Sequence, residues 1–329
     1  MKIKDVGVRL ARKLYRNATQ KKFLPPECDI ERQSVNEKIL KLLKSEFPCM
    51  ISRFGTTEIN CLNNYLCISS RDNYFLKLKN FVTDNTHTPW WNTDHFHYMN
   101  IYSGIFPEGE DTAVNFSKRY IQDIPYIDMI GCHQYYEKFM PLREDVSKVQ
   151  LEMLYPFFVN NPWTAELEGK KVLVVHPFDE TIKRQYKIKE RLFDNVLPEF
   201  ELLTLKAVQS VAGEPVPYND WFEALKYMED SISKINFDIA LLGCGAYGLP
   251  LAAHVKRIGK SAVHLGGGLQ LLFGIKGKRW ESQYQKVWHY RPGQDIDIDY
   301  GRLFNEHWVY PSEDEKPKNA EKVEGGCYW

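Results

Sequence analysis

The chain has 329 residues, which is enough for one large domain or two medium domains with a substantial core. Its 43 basic residues balance its 43 acidic residues, so no overall electric field favours nucleic acid as a partner. No stretch is long and apolar enough to span a bilayer, no signal sequence begins the chain, and the seven cysteines include no CxxC pair, so we expect reduced thiols in a cytoplasmic protein.

The first segment, residues 1–22, is strongly basic. Eight of its residues are Lys or Arg and one is an acid, while Ile3, Val6, Leu10 and Leu14 recur at helical spacing. One interpretation is an amphipathic helix that lies on an anionic membrane, which would make the protein peripheral at the inner face of the plasma membrane. The other is a solvated helix whose apolar stripe packs on the core.

Between residues 34 and 165 the pattern predicts alternating helices and strands. Ser34 caps the first helix, and Glu37 completes its capping box. The predicted helices cover residues 34–45, 111–121 and 145–158, and the predicted strands cover residues 49–52 and 126–131. Residues 94–97, Asp-His-Phe-His, could ligate a metal if they form a strand, because alternate residues share a face. A binding wall that includes Trp90 and Trp91 is favoured instead, since tryptophans offer flat apolar platforms.

Arg53 and Glu58 flank the turn that follows the strand at residues 49–52. The turn has the sequence Arg-Phe-Gly-Thr-Thr-Glu, and Thr56 or Thr57 is expected to cap the next helix. Ligands of an open α/β sheet bind at the carboxyl ends of its strands, so both charged side chains are expected in that crevice. The alternative is an ordinary ion pair, with the glutamate favoured by the helix dipole.

The second half of the chain alternates strands and helices more regularly. The predicted strands cover residues 171–175, 200–205, 239–242 and 261–265, and the predicted helices cover residues 180–193 and 219–233 and begin again at Pro250. Right-handed crossovers between such strands place helices on both faces of a sheet. The sequence therefore predicts an α/β fold with a Rossmann-like, doubly wound and mainly parallel sheet.

A glycine-rich turn follows the strand at residues 239–242. Gly243, Gly245 and Gly248 fit the pattern GxGxxG, which presents backbone N–H groups and a helix N-terminus to a phosphate. The strand that follows ends at His264 to Gly268 without the acid that holds the ribose of a dinucleotide, so no NAD is expected. The alternative is that these glycines serve only close packing of helix and strand.

Basic and polar side chains near the glycines favour a nucleoside diphosphate. Lys276, Lys278 and Arg279 supply cations for a diphosphate, and Tyr247 is expected to stack on a base or sugar. The pattern along the chain divides it into a basic segment (1–33), an α/β lobe (34–165), a Rossmann-like nucleotide-binding lobe (166–311) and a tail (312–329), which is expected to wrap the surface or to be partly mobile.

Six stretches of the chain resemble one family. They are residues 52–58, 103–107, 175–178, 206–210, 243–250 and 266–280. On these residues the chain resembles bacterial glycosyltransferases of the GT-D fold class, and especially proteins of polysaccharide biosynthesis loci predicted to belong to it. In the understood members the first stretch resembles RFGDGE, whose two carboxylates serve metal and sugar-nucleotide chemistry. Glu58 matches the second carboxylate, whereas Thr56 stands where the first is expected.

The resemblance implies a glycosyltransferase of cell-surface polysaccharide synthesis. Its donor would be a nucleotide-diphospho-sugar, expected to be UDP-linked, and its acceptor a glycan or a lipid-linked glycan. Glu58 would bind Mn²⁺ or Mg²⁺ or act as the base, Arg53 would orient Glu58 or the phosphates, and Asp179 or Glu180 would be the reserve base. The expected donor-binding residues are His176, Gln209, Gly243, Gly245, Tyr247, Gly248, Gly267, Lys276, Lys278 and Arg279.

Two other functions stay open from the sequence. One is an NAD(P)-dependent oxidoreductase or epimerase of nucleotide sugars, which the missing ribose acid disfavours. The other is a non-catalytic binding protein of a polysaccharide locus. Thr56 favours this second alternative, because a hydroxyl replaces an expected carboxylate.

Overall fold

Seven parallel strands form one sheet in the computed structural model, which describes residues 3–281 and 299–329. The strands are β1 (Met50–Arg53), β2 (Met129–Cys132), β3 (Ser147–Gln150), β4 (Lys171–His176), β5 (Glu201–Lys206), β6 (Ile239–Leu242) and β7 (Ser261–His264). Their order across the sheet is β3-β2-β1-β7-β6-β4-β5, and every adjacent pair is parallel. The predicted parallel α/β architecture is confirmed.

Helices cover both faces of this sheet. They are α1 (Ile3–Thr19), α2 (Arg32–Lys44), α3 (Thr56–Ser69), α4 (Tyr74–Val82), α5 (Thr93–Ser103), α6 (Glu110–Asp123), α7 (Asp179–Tyr186), α8 (Trp221–Lys234), α9 (Gly248–Arg257) and α10 (Leu269–Leu272). Helices α3, α6, α8 and α9 contribute to one core, and α2, α7 and α10 to the other. No helix of the described residues is long and apolar enough to cross a membrane.

The interior of β4 and the whole of β6 are apolar because both faces of these strands are buried. In β4, Leu173 and Val175 belong to one core, whereas Val172 and Val174 belong to the other. Alternate side chains of a strand point to opposite faces, so a strand between two helical layers needs an apolar residue at every position. This requirement explains the continuous apolar runs of β4 and β6.

The strands of the first and second halves join in the middle of the sheet. Met50 and Ile51 of β1 lie beside Ala262 and Val263 of β7. The carboxyl ends of β1, β7, β6 and β4 therefore share one edge. The chain leaves β4 towards β5 and leaves β6 towards β7, in opposite directions across the sheet. Such a change of direction opens the crevice in which α/β proteins bind ligands.

Several predicted elements differ from the structure. The helix predicted over residues 180–193 corresponds to α7, which ends at Tyr186 and is followed by a 3₁₀ turn at Lys189–Arg191. Residues 145–158, predicted as a helix, form strand β3 and a 3₁₀ turn at Leu151–Leu154. Helix α2 begins at Arg32 rather than at Ser34, because the Glu31 carboxylate accepts the free N–H groups of its first turn. No threonine side chain caps α3, whose N-cap is Gly55.

Residues 94–97 lie in helix α5 and not in a strand. Two residues apart on a helix, His95 and His97 point in nearly opposite directions. The His95 ring packs on His87 at 5.3 Å between centroids, and His97 Nδ1 lies 3.0 Å from the Glu108 carboxylate. The two histidines therefore do not converge on a shared metal.

Candidate functional site

Two adjoining cavities lie at the carboxyl edge of the sheet. The inner cavity has a volume of about 160 Å³ and the outer cavity one of about 810 Å³. Residues common to both linings include Arg53, Thr56, Arg279 and Tyr328. The inner cavity brings together nine of the residues expected from the sequence: Arg53, Glu58, His176, Gln209, Gly243, Gly245, Tyr247, Gly267 and Arg279.

Four expected residues and Glu180 do not line either cavity. Asp179 is 6% exposed at the first position of α7 and forms an ion pair of 3.1 Å with Lys183. Lys276 lies over the Phe304 ring, and Lys278 is exposed and donates a hydrogen bond to a backbone carbonyl of the tail. Gly248, the fourth, is buried in the first turn of α9.

Glu58 lies at the start of α3 with its carboxyl group folded back over Gly55. A Cβ on Gly55 would stand 1.7 Å from a Glu58 carboxylate oxygen, so only glycine leaves room for this conformation. Burial raises the pKa of Glu58, although the backbone N–H, Arg53 and Ser103 act in the opposite direction. The result is a buried carboxyl group that accepts a proton more readily than an exposed glutamate does.

Arg53 ends β1 and reaches across the site. Its Nη2 lies 3.1 Å from Nε2 of His133, and its side chain packs on Gly266, where a Cβ would be 3.4 Å from Arg53 Cδ. The Nε atom of Arg53 is buried and has no hydrogen-bond partner among the described residues. A buried donor without a partner is costly, so this nitrogen is available to a ligand oxygen.

His176 ends β4 and is held as a neutral ring. Its Nδ1 accepts a hydrogen bond of 3.0 Å from the Phe178 N–H, and burial lowers its pKa to about 3. A neutral imidazole that accepts at Nδ1 carries its proton on Nε2. A Cβ on Gly243 would stand 2.6 Å from His176 Cδ2, so this glycine is needed for clearance.

Gly248 also provides clearance for a histidine. A Cβ there would stand 2.1 Å from Nε2 of His264, the last residue of β7. His264 is 2% exposed, and its Nδ1 lies 3.0 Å from the Ser52 hydroxyl. The third glycine of the GxGxxG pattern therefore serves helix–strand packing, the alternative that the sequence left open. Gly245 differs, because its φ of +55° favours glycine while open space surrounds it.

Gly266–Gly268 form a 3₁₀ turn against which three side chains pack. Arg53 contacts the first glycine, and a Cβ on Gly267 would stand 2.3 Å from Tyr328 Cε1. A Cβ on Gly268 would stand 2.3 Å from Tyr155 Cε1. A ligand can therefore reach the backbone of these glycines only between the three side chains. Less of this backbone is open to a phosphate than the sequence predicted.

The tail, residues 312–329, is part of the site rather than a wrapping of the surface. Arg279 donates a hydrogen bond of 2.8 Å to the Tyr328 hydroxyl and binds the Glu324 carboxylate. Burial acts to lower the pKa of Arg279, but Tyr328, Cys327 and Glu324 outweigh it and raise the pKa. Tyr328 and Glu324 line both cavities.

Glu315 anchors the same tail to helix α7. Its carboxylate is 2% exposed and accepts hydrogen bonds from the backbone N–H groups of Glu180, at 2.9 Å, and Thr181, at 3.2 Å. These are free N–H groups of the first helical turn, which a carboxylate satisfies and whose dipole it complements. The sequence did not predict that the tail belongs to the site, because most of its residues are polar. Its aromatic end, Tyr328 and Trp329, was the one sign that the tail packs against the protein.

Tyr247 does not offer a ring face for stacking on a base or sugar. It is 2% exposed, and its ring stacks on Trp221 at 4.9 Å with 9° between the planes. Its hydroxyl lies 3.1 Å from the Ser210 hydroxyl. The expected stacking role is therefore wrong, although an edge of the residue lines the inner cavity.

The donor set near Glu58 does not by itself fit Mn²⁺ or Mg²⁺. Glu324, the second carboxylate of the inner cavity, is paired with Arg279, and the Thr56 hydroxyl accepts a hydrogen bond of 2.9 Å from Gln134. Within residues 3–281 and 299–329, no three His, Cys, Asp or Glu side chains are arranged to hold a metal ion. Both ions prefer several oxygen ligands, so we derive no chemical step through a metal.

No protein-family model matches the chain, and no curated protein matches it either. Among solved structures, the chain is similar to the selenomethionine-substituted structure of domain of unknown function 1792, with 13% sequence identity. The likeness covers 93% of this chain and 95% of that chain, with a TM-score of 0.35. At this TM-score the likeness carries no argument about function, which must come from the site itself.

Proposed function

We propose that the protein is a glycosyltransferase of cell-surface polysaccharide synthesis. It would move a sugar from a nucleotide-diphospho-sugar, expected to be UDP-linked, to a hydroxyl of a glycan or lipid-linked acceptor. One observation carries the proposal: Arg53 and Glu58 from the first half line the same cavity as the glycine turn and Arg279 from the second half. Cations, free backbone N–H groups and a carboxylate are the groups that this transfer needs.

The volumes of the two cavities suggest that the donor and the acceptor occupy different parts of the site. Ligand pockets typically measure about 300–1000 Å³. The inner cavity, at about 160 Å³, is too small for a whole nucleotide sugar, whereas the outer cavity measures about 810 Å³. We infer that the diphosphate lies at the inner cavity, that the rest of the donor extends into the outer cavity, and that the acceptor reaches Glu58 with its reacting hydroxyl from there. Arg53 and Arg279, which border both, would then lie beside the bond that breaks.

The transfer follows from the residues of the inner cavity. The acceptor oxygen forms a bond to the anomeric carbon, and Glu58 takes the proton of that hydroxyl. The bond from the anomeric carbon to the phosphate oxygen breaks, and its electron pair leaves with the diphosphate. Arg53, Arg279 and the N–H groups near Gly245 would stabilise the developing charge. Burial raises the pKa of Glu58, which brings a carboxylate closer to the working range of a base.

Calorimetric titration with UDP, with and without Mn²⁺, tests the proposal. We expect binding of UDP, and an effect of Mn²⁺ would show that substrate oxygens complete a metal site. Absence of binding by any nucleoside diphosphate at millimolar concentration would overturn the proposal. Binding of UDP without turnover of any sugar nucleotide would support the non-catalytic alternative, and a thermal shift with NAD would support the oxidoreductase.

A further inference from the structure

Helix α1 presents its apolar stripe to solvent and not to the protein. Val6, Leu10 and Leu14 are 49%, 54% and 60% exposed. They are four residues apart, so they lie on one face of the helix. An amphipathic helix on a globular protein normally turns its apolar stripe towards the core. In α1 the apolar stripe faces solvent instead. The interpretation in which this stripe packs on the core is therefore wrong.

Charged contacts fix this orientation. Arg12 and Arg16 both donate hydrogen bonds to the carboxylate of Asp84, which is 0% exposed. Arg12 also donates to the Tyr136 hydroxyl at 2.8 Å, and its guanidinium lies 4.3 Å from the centre of the Phe81 ring. Burial acts to raise the pKa of Asp84, but the hydrogen bonds from Arg16 and Arg12 lower it, so the carboxylate stays ionised. The polar face of α1 therefore holds the helix on the protein.

Positive charge borders the exposed stripe. Arg9 and Lys13 are exposed, and neither has an ion-pair partner among the side chains that the structure describes, those of residues 6–281 and 299–329. At 100° per residue they lie along one side of the stripe, with Arg9 about 60° from Val6 and Lys13 about 60° from Leu10. Residues 1–22 contain eight basic residues and one acid. This combination of an apolar stripe and flanking cations matches the chemistry of an anionic lipid surface.

Helix α4, on which α1 packs, adds exposed aromatic side chains. Tyr74 and Phe75 are 59% and 78% exposed, and α4 contains no acidic residue. Aromatic residues of this kind favour the boundary between headgroups and acyl chains.

We propose that α1, together with the start of α4, docks on the surface of a bilayer that contains anionic phospholipids. The stripe of Val6, Leu10 and Leu14 enters the headgroup region, and Arg9 and Lys13 contact lipid phosphates. The outer cavity then lies near the bilayer. Its lining residue His95 is joined to α1 by ring contacts through His87 and Tyr136, whose hydroxyl binds Arg12. Docking does not depend on the proposed function, but it would suit a lipid-linked acceptor.

Vesicle sedimentation of the full chain tests the proposal. We expect binding to vesicles of phosphatidylcholine mixed with phosphatidylglycerol, weaker binding as salt rises, and little binding to phosphatidylcholine alone. The double variant Leu10→Glu, Leu14→Glu should partition onto these vesicles roughly 10-fold less than the wild type, or weaker still. The double variant Arg9→Gln, Lys13→Gln should partition about 10-fold less. Phe47→Glu, which changes a side chain that is 79% exposed between α2 and β1, should bind as the wild type does.

Three results would overturn the proposal. The first is wild-type protein that binds no anionic vesicles. The second is a Leu10→Glu and Leu14→Glu variant that keeps full binding. The third is a wild-type dimer in sedimentation velocity that dissociates in this variant, since the stripe would then be a contact between two copies of the chain. Because both leucines are exposed, circular dichroism and thermal melting should show a fold like that of the wild type.

Discussion

Arg279 and Tyr328 are bound to each other twice. Nη1 of Arg279 donates a hydrogen bond of 2.8 Å to the tyrosine hydroxyl, and the guanidinium also lies 4.6 Å from the centre of the tyrosine ring. Stacking and hydrogen bonding to one partner hold a guanidinium in a fixed direction. The tail therefore positions the cation that the second half of the chain contributes to the inner cavity.

Replacement of Tyr328 tests this positioning. Tyr328→Ala removes both contacts, and we expect UDP to bind about 10-fold more weakly by calorimetry. Tyr328→Phe keeps the ring and loses only the hydrogen bond, so its effect should be smaller. Tyr227→Ala, at a tyrosine of α8 that is 47% exposed, is the matched control and should bind as the wild type does. Equal affinity for all four proteins would contradict a role for the tail.

The contact between Gly267 and Tyr328 gives a prediction about stability. Gly267→Ala places a Cβ 2.3 Å from Tyr328 Cε1, which forces the tyrosine ring to move. Overpacking of this kind costs about 1–3 kcal/mol of unfolding free energy, measurable by urea denaturation. The same substitution at Gly7 meets nothing within 4 Å inside helix α1. Gly7→Ala should therefore leave stability unchanged or raise it by up to ~1 kcal/mol. Similar losses in both variants would contradict the contact.

The buried, neutral ring of His176 makes the free energy of unfolding depend on pH. Its pKa falls from 6.5 to about 3 on burial, so below pH 6.5 the unfolded chain binds a proton that the native protein does not. The contribution of His176 to stability must therefore fall as pH falls from 6.5 towards 3. His176→Gln should reduce the slope of unfolding free energy against pH by about one proton between about pH 4 and 5.5. The exposed His97→Gln is the control, and an equal change in slope there would contradict the prediction.

The sequence predicted the parallel sheet because four strands alternate with helices in the second half of the chain, and right-handed crossovers make such strands parallel. Strands β4 and β6 lie between helical layers, and their short apolar runs made them easy to recognise. Strand β3 was missed because it lies at the edge of the sheet, where Ser147 and Lys148 face less of the core. Its few apolar residues run on into the 3₁₀ turn at Leu151–Leu154, and together they imitate a helical period.

The sequence pattern could not show which glycines serve a ligand and which only give room to another side chain. Gly243, Gly248 and Gly267 give room to His176, His264 and Tyr328, side chains that are distant in the sequence. A glycine needed for a phosphate and a glycine needed for a histidine look the same in the chain. The pairing of Arg53 and Glu58 with the second half was predictable, because the carboxyl ends of parallel strands share an edge.

Glu58→Gln separates catalysis from folding. Gln has the shape of the protonated carboxyl group but cannot take a proton, so we expect kcat for sugar transfer to fall by about 10²–10⁴ while UDP binding is kept. Burial raises the pKa of Glu58 above 4.5, so as pH rises past 4.5 the unfolded chain releases this proton before the native protein does. The stabilising contribution of the Glu58 carboxyl group is therefore lost as pH rises, and the variant has no such contribution to lose. The difference in unfolding free energy should shift in favour of the variant as pH rises from about 4.5. Glu144→Gln, at an exposed glutamate, is the control and should change neither the transfer rate nor the dependence of unfolding free energy on pH. A Glu58→Gln variant with the full transfer rate would show that Glu58 has no part in the mechanism.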